Sequence, residues 1–213
     1  MALNKLKFNS INVTPAASEA IKFNSGANGF ETASAGGSLI KIAASTASSS
    51  ATISFTSGIN STYKEYLFLF NNIHPATDSA NVQFQGSTDG GSSYNTTITS
   101  TYFQAQANAS EAALEYDGGQ DLAQSTNFQT ILGKEVGNGN DESASGMLRL
   151  FDPSNTTFVK HFLATGNCQD TEAMSRQGFT GGYFNTTSAI NAVQFKMSSG
   201  IIDAWTITMY GVS

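Results

Sequence analysis

The chain is poor in charge, cysteine, histidine, proline and long apolar runs, and each shortage narrows what its 213 residues can be. Charged residues make up 12%, against about 25% in ordinary soluble domains. With 39% hydrophobic residues the chain is not a disordered polyelectrolyte. Its surface is therefore predicted to be neutral and polar, built from Ser, Thr, Asn, Gln and Gly. Such a surface has little long-range repulsion to keep copies apart, which suits packed assemblies. The ten Lys and Arg are spread from Lys5 to Lys196 against a net charge of -6. No basic stripe exists to neutralise phosphates, so nucleic acid is not an expected partner.

A single cysteine, Cys168, cannot close an internal disulfide, and His74 and His161 alone cannot build a histidine-rich metal site. The chain is expected to fold on packing alone, with no cofactor and no metal. No apolar run approaches ~18 residues, so no membrane insertion is expected. The opening Met1-Ala-Leu-Asn-Lys-Leu-Lys-Phe8 lacks the apolar stretch of a secretory signal, which predicts synthesis in a cytoplasm. Six Asn-x-Ser/Thr triplets, starting at Asn12, Asn60, Asn95, Asn108, Asn155 and Asn185, are then read as products of composition rather than as glycan acceptors.

What is present is alternation. Leu6-Lys7-Phe8-Asn9-Ser10 returns as Ile21-Lys22-Phe23-Asn24-Ser25, and Pro15 interrupts the chain between the two copies. Period two puts Leu6 with Phe8, and Ile21 with Phe23, on one face of each short strand. Residues 1–35 therefore read as an extended arm or hairpin. Such a segment buries its aromatic face poorly by itself, which makes Leu6, Phe8, Ile21 and Phe23 the candidate assembly residues. The competing reading makes this segment the first hairpin of the main sheet.

From residue 36 to 213 the pattern predicts a β-sandwich domain. Leu39, Ile40 and Ile42, then Ala51, Ile53 and Phe55, mark half-buried strands. Glu65-Tyr66-Leu67-Phe68-Leu69-Phe70 reads as a central strand covered on both faces. Val82 and Phe84, the turn Asp89-Gly90-Gly91-Ser92, then Tyr94 and Ile98 read as a hairpin. So do Val193, Phe195 and Met197 with Trp205, Ile207 and Met209 across Ser198-Ser199-Gly200. Further strands are expected near 127–132, 146–151 and 156–165, with a turn at Asp152-Pro153-Ser154-Asn155. Ala105–Leu114 suggests one short helix or a long loop, and 106–126 and 133–145 read as polar surface loops. Roughly nine to eleven strands at this spacing predict an all-β, two-sheet antiparallel sandwich, jelly-roll-like, with an extended N-terminal arm.

Candidate chemistry is sparse, and no catalytic residue is assigned. Glu111, Glu115, Asp117 and Asp121 share one stretch, but paired glycosidase carboxylates need an apolar pocket and this stretch is polar. Asn138, Asn140, Asp141 and Glu142 offer oxygen ligands without EF-hand spacing, so a polar turn is favoured over a calcium site. His161 and Cys168 lack an orienting partner and an oxyanion site. Tyr94, Tyr102, Phe103, Tyr116, Phe179, Tyr183 and Phe184 fall in or near expected loops. Of these, Tyr94, Tyr102, Tyr116 and Tyr183 are candidate contacts for a glycan, because a phenol offers both a stacking face and a polar tip.

Several stretches together carry a resemblance: Ile11-Asn-Val-Thr-Pro15, Thr62-Tyr-Lys-Glu-Tyr66, Asn72-Ile-His-Pro75, Gln85-Gly-Ser-Thr-Asp-Gly-Gly91 and Phe195-Lys-Met-Ser-Ser-Gly200. Over nearly its whole length the chain resembles a tail-fibre-like family of virion proteins of marine tailed bacteriophages. The closing Ser199–Val212 is similar to a Ser-Gly-…-Gly-Thr-Ile-…-Leu-Tyr-Gly ending in that family, with Ala204-Trp205 replacing the small Gly-Thr start. The resemblance implies a non-enzymatic structural component of the virion, made in the host cytoplasm, and transfers no catalytic residues. A tail-fibre or tail-peripheral subunit anchored by its N-terminal arm is the first expectation. A capsid decoration protein and a receptor-binding module for host-surface glycan are the alternatives. The expected partners are other virion proteins and further copies of the chain, with a trimer favoured.

Overall fold

The computed structural model describes residues 19–34 and 38–213, which fall into two units, one ending at Ile40 and the other running Lys41–Ser213. Leu6 and Phe8 lie outside the described residues. In the first unit β1 (Glu19–Phe23) pairs antiparallel with β2 (Phe30–Ser34) as a sheet of its own. Asn24 ties the turn: its N–H donates to the Gly29 carbonyl at 2.9 Å and its carbonyl accepts from Ala27 at 2.9 Å. Its side chain also accepts from the Asn28 N–H at 3.2 Å. The second copy of the apolar-Lys-Phe-Asn-Ser repeat thus supplies both a strand and the turn that ends it.

The second unit is all β among the described residues. Its strands are β3 (Leu39–Ser50), β4 (Thr52–Phe55), β5 (Glu65–Ile73), β6 (Val82–Ser87), β7 (Ile98–Ala107), β8 (Ala112–Tyr116), β9 (Gln129–Thr130), β10 (Ala144–Phe151), β11 (Lys160–Gln169), β12 (Ser175–Phe184), β13 (Ala192–Met197) and β14 (Ile202–Val212). They form an eight-stranded sheet, β3-β14-β5-β10-β11-β12-β7-β8, and a four-stranded sheet, β4-β13-β6-β9. Every pairing whose register is resolved is antiparallel. The chain crosses between the sheets at every step from β3 to β7 and again at β8/β9, β9/β10, β12/β13 and β13/β14, so the neighbours β3-β14-β5-β10 and β4-β13-β6-β9 form the double Greek key of a jelly roll. The strands β11, β12, β7 and β8 widen the large sheet beyond β10.

Both sheets turn an apolar face inward. The large sheet contributes Tyr66, Phe68, Phe70, Leu148, Leu150, Phe162, Phe184, Ile207 and Met209, and the small sheet Ile53, Phe55, Val82, Phe84, Val193, Phe195 and Met197. Phe195 lies at the centre, its ring 5.1 Å from Phe70, 5.4 Å from Phe68, 6.2 Å from Phe55 and 6.4 Å from Phe84.

Two expected hairpins are sheet crossings instead. The turn at 89–92 leads from β6 in the small sheet to β7 in the large one, and Ser198-Ser199-Gly200 leads from β13 to β14 in the same way. Alternation and turn residues are common to both arrangements, and only the core decides whether two strands pair side by side or face to face. Strand β5 is covered fully on one face only: Tyr66, Phe68 and Phe70 are buried, while Leu67 and Leu69 are half-buried on the other. The 105–114 stretch holds no helix. It is the end of β7, a turn and the start of the edge strand β8, in register Gln104↔Glu115 and Gln106↔Ala113. The 133–145 stretch is also more than a surface loop, because Val136 is fully buried and bridges Ala80 and Asp170.

Leu132, just before Val136 and also fully buried, owes its place to glycine. Gly146, Gly166 and Gly178 stand opposite one another on β10, β11 and β12, and Leu132 lies across them. A Cβ on Gly178 would fall 1.5 Å from the Leu132 carbonyl oxygen. Backbone must move to relieve such a clash, so Gly178→Ala is expected to cost about 3 kcal/mol, the upper end of the usual overpacking penalty, in denaturant unfolding.

Candidate interaction surfaces

The outer face of the large sheet is as ordered as its inner one. Reading across the ladder, Thr208, Leu69, Met147, Thr165, Phe179, Phe103 and Tyr116 stand directly opposite one another on β14, β5, β10, β11, β12, β7 and β8. The neighbouring rung of the same face carries Tyr210, Leu67, Arg149, Leu163, Gly181 and Thr101. Five strands thus present a nearly continuous apolar row to solvent. Tyr116 is 65% exposed, Leu163 52% and Phe103 42%. Phe103 and Phe179 stack at 4.8 Å, and Gly181 and Leu163 beside them help form a shallow hollow of about 490 Å³. Arg149 is anchored at its rim by Glu65, with Nε to Oε1 at 2.5 Å.

The β1–β2 ribbon is amphipathic in the same sense. Ile21, Phe23, Phe30 and Thr32 share one face, with Phe23 and Phe30 stacked at 4.9 Å, and Lys22 pairs with Glu31 at 3.2 Å on the other. Phe23 is 67% exposed. An isolated two-stranded ribbon is marginal in water unless its apolar face is covered.

The four tyrosines do not converge. Tyr102 is fully buried in β7, its hydroxyl 3.2 Å from Gln104 Oε1, and burial, then the nearby Cys168 and Asp117, push its ionisation up. It cannot touch a glycan. Tyr94 is half-buried against Gly91, with its hydroxyl enclosed. Tyr183 is half-buried beside His161, at 5.8 Å between rings. Tyr116 alone presents an open ring, its hydroxyl bonded to Asp121. The signal for Tyr102 was legible in Ile98-x-Ser100-x-Tyr102-x-Gln104, which alternates with inward-facing residues.

The acidic stretch is consumed by structure. Glu115 accepts from Gln104 Nε2 at 2.7 Å, Asp117 holds Lys134 at 2.7 Å, and Asp121 accepts the Tyr102 N–H at 2.5 Å. Glu111 is exposed in the turn before β8, where its carbonyl accepts from the Asn108 N–H. His161 and Cys168, an odd number of residues apart on β11, point to opposite faces. Cys168 is buried, which raises its thiol to about 12. In the 137–143 turn, Glu142 accepts the Gly139 N–H at 2.7 Å, and the Asn138 side chain donates to Ala76. Among the described residues no group of three or more His, Cys, Asp or Glu converges as a metal site. Trp205 packs at the core margin, 6.5 Å from His74.

Four carboxylates are held below their usual range. Hydrogen bonds from Ser87 and then Ser93 bring Asp89 to about 2. Lys134 acts on Asp117, and Asn155 then Lys64 on Asp152. At Asp170 burial opposes ionisation, but the N–H groups of Met174 and Glu172 and the Arg176 guanidinium together outweigh it. A depressed folded pKa stabilises above the unfolded value, 3.8, and that contribution is lost as pH falls through the folded values towards about 2. The thermal midpoint is therefore expected to decline progressively below about pH 4. A midpoint level or rising through that window would contradict the assignment.

No family model matches the chain, and no curated protein or solved structure matches it.

Proposed function

We propose that the chain is a non-enzymatic structural subunit of a tailed-phage virion, a tail-fibre or tail-peripheral protein that works by packing against other virion chains and further copies of itself. The observation that carries the associative part of this reading is the apolar row across the outer face of the large sheet, from Leu69 through Met147, Phe179 and Phe103 to Tyr116. Contiguous apolar surface on a soluble protein marks an interaction site, because each covered Å² returns roughly 25 cal/mol. The exposed Ile21, Phe23 and Phe30 face supports an anchoring role for the N-terminal segment. The engagement of Glu115, Asp117, Asp121 and Asp170 in ion pairs and hydrogen bonds supports a structural rather than catalytic use of charge. The resemblance noted in the sequence supports the virion.

The test uses the full-length chain carrying Phe23→Asp and Phe30→Asp, produced during infection alongside the unaltered protein. The doubly substituted chain, with its sandwich folded by thermal unfolding, is expected to be depleted from purified particles. Incorporation equal to that of the unaltered chain would remove the anchoring role.

A further inference from the structure

The outer face of the small sheet differs in kind from that of the large one. Across its strands Thr130, Gln83, Lys196 and Thr52 stand opposite one another, and Gln85, Gln194 and Ser54 form the next outward rung. The 119–128 segment folds over this face, tied down where Gln85 Nε2 donates to the carbonyls of Thr126 and Asn127 at 3.2 and 2.9 Å. Between segment and sheet lies a hollow of about 300 Å³ whose lining includes Gln83, Gln120, Asn127, Phe128, Thr130 and Lys196.

The chemistry of that lining is specific. Five of the eight described Lys and Arg residues pair with carboxylates, namely Lys22, Lys64, Lys134, Arg149 and Arg176. Among the described residues Lys196 does not; its ammonium lies 4.3 Å from the centre of the Phe128 ring. The ring fixes the cation without neutralising it. Around it, the side chains of Gln83, Asn127 and Thr130 make no hydrogen bond among the described residues. Gln120 uses its side-chain oxygen to accept from Asn81 at 3.3 Å, which leaves its NH₂ free.

We propose that this hollow binds a saccharide carrying a carboxylate, with Lys196 pairing the carboxylate and the surrounding amides and Thr130 hydroxyl pairing the sugar hydroxyls. One fixed cation suits a single negative charge. Amides and a hydroxyl, which donate and accept, suit a ligand rich in hydroxyls. The second negative charge of a phosphate would call for a second cation, and the lining beyond Lys196 is neutral. The volume is at the small end of ligand sites, enough for one or two sugar rings. The site is separate from the apolar row and does not rest on the virion reading, which is tested on particles rather than by ligand binding.

The full-length chain is titrated with a glucuronic-acid-containing disaccharide, its neutral glucose counterpart, acetate and inorganic phosphate, followed by calorimetry and by amide NMR shifts. The acidic disaccharide is expected to bind saturably, to perturb residues 83, 120, 127–130 and 196, and to weaken as salt rises. Lys196→Met, with an unchanged thermal midpoint, is expected to weaken it about tenfold or more, as loss of a charged hydrogen bond does. Lys196→Arg, which keeps the charge, is expected to retain binding. Equal affinity for the neutral sugar, equal affinity for acetate or phosphate, binding unaffected by Lys196→Met, or no binding by any probe would each overturn the assignment.

Discussion

Phe195→Ala is expected to lower the unfolding free energy by about 3–5 kcal/mol, the range for truncating a large buried aromatic. Phe195 is fully buried on the small sheet, and its ring meets Phe68 and Phe70 of the large sheet as well as Phe55 and Phe84 of its own. The edge-on contacts with Phe68 and Phe70 hold the two sheets face to face, and neither sheet can collapse into the gap without breaking its own ladder. The cavity therefore persists, and its cost adds to the lost transfer energy. Chemical denaturation at neutral pH reads the effect. A loss below about 1 kcal/mol would mean that the sheets are not packed through this residue.

Arg176→Met is expected to cost a similar amount, about 3–5 kcal/mol, by a different route: it strands a buried carboxylate. The Arg176 side chain is 11% exposed and that of Asp170 3%, and Nε meets Oδ2 at 2.6 Å. The same guanidinium reaches Glu135 at 2.9 Å and Gln106 at 2.8 Å. It thereby ties the β11–β12 turn to the segment lying over the glycine row and to β7. The charge-neutral pair of changes, Arg176→Met with Asp170→Asn, is expected to recover part of the loss, because the stranded charge is gone. No recovery in the double variant would place the cost in lost packing instead.

The class of fold was legible because period-two alternation survives wherever one face is buried, as in Ile53/Phe55, Val82/Phe84 and Val193/Phe195/Met197. Partnership between strands was not. Asp89-Gly90-Gly91 and Ser198-Ser199-Gly200 have the composition of hairpin turns, yet both carry the chain from one sheet to the other. In the first, Asp89 is bonded within its own loop by Ser87 and Ser93, and in the second, Gly200 takes a φ of +68° with Thr77 close by. Neither local device depends on which strand lies alongside. The edge strand β8 escaped notice because Ala112-Ala113-Leu114-Glu115-Tyr116 is largely exposed on both faces, so it carries no alternation to read.

The surfaces divide in the same way. Ile21 and Phe23 could be picked out as apolar residues of a segment too short to bury them. The outer row of the large sheet could not, because its members come from separate strands and meet only through the ladder register. In the sequence Leu67 and Leu69 look like core, Phe103 like a loop residue and Met147 like an ordinary strand position. The Lys196–Phe128 contact was hidden for the same reason, and the only hint was a cation in an otherwise polar alternation.

The most direct test is cross-linking with mass spectrometry on intact, purified phage particles, read together with electron microscopy of the same sample. The protein is expected as a regular component of the particle, with residues 21–31 and the face bearing Phe103, Met147 and Leu163 in contact with neighbouring chains. A protein absent from particles, or present with both surfaces open to solvent and linked to no other chain, would contradict the claim that it functions by association.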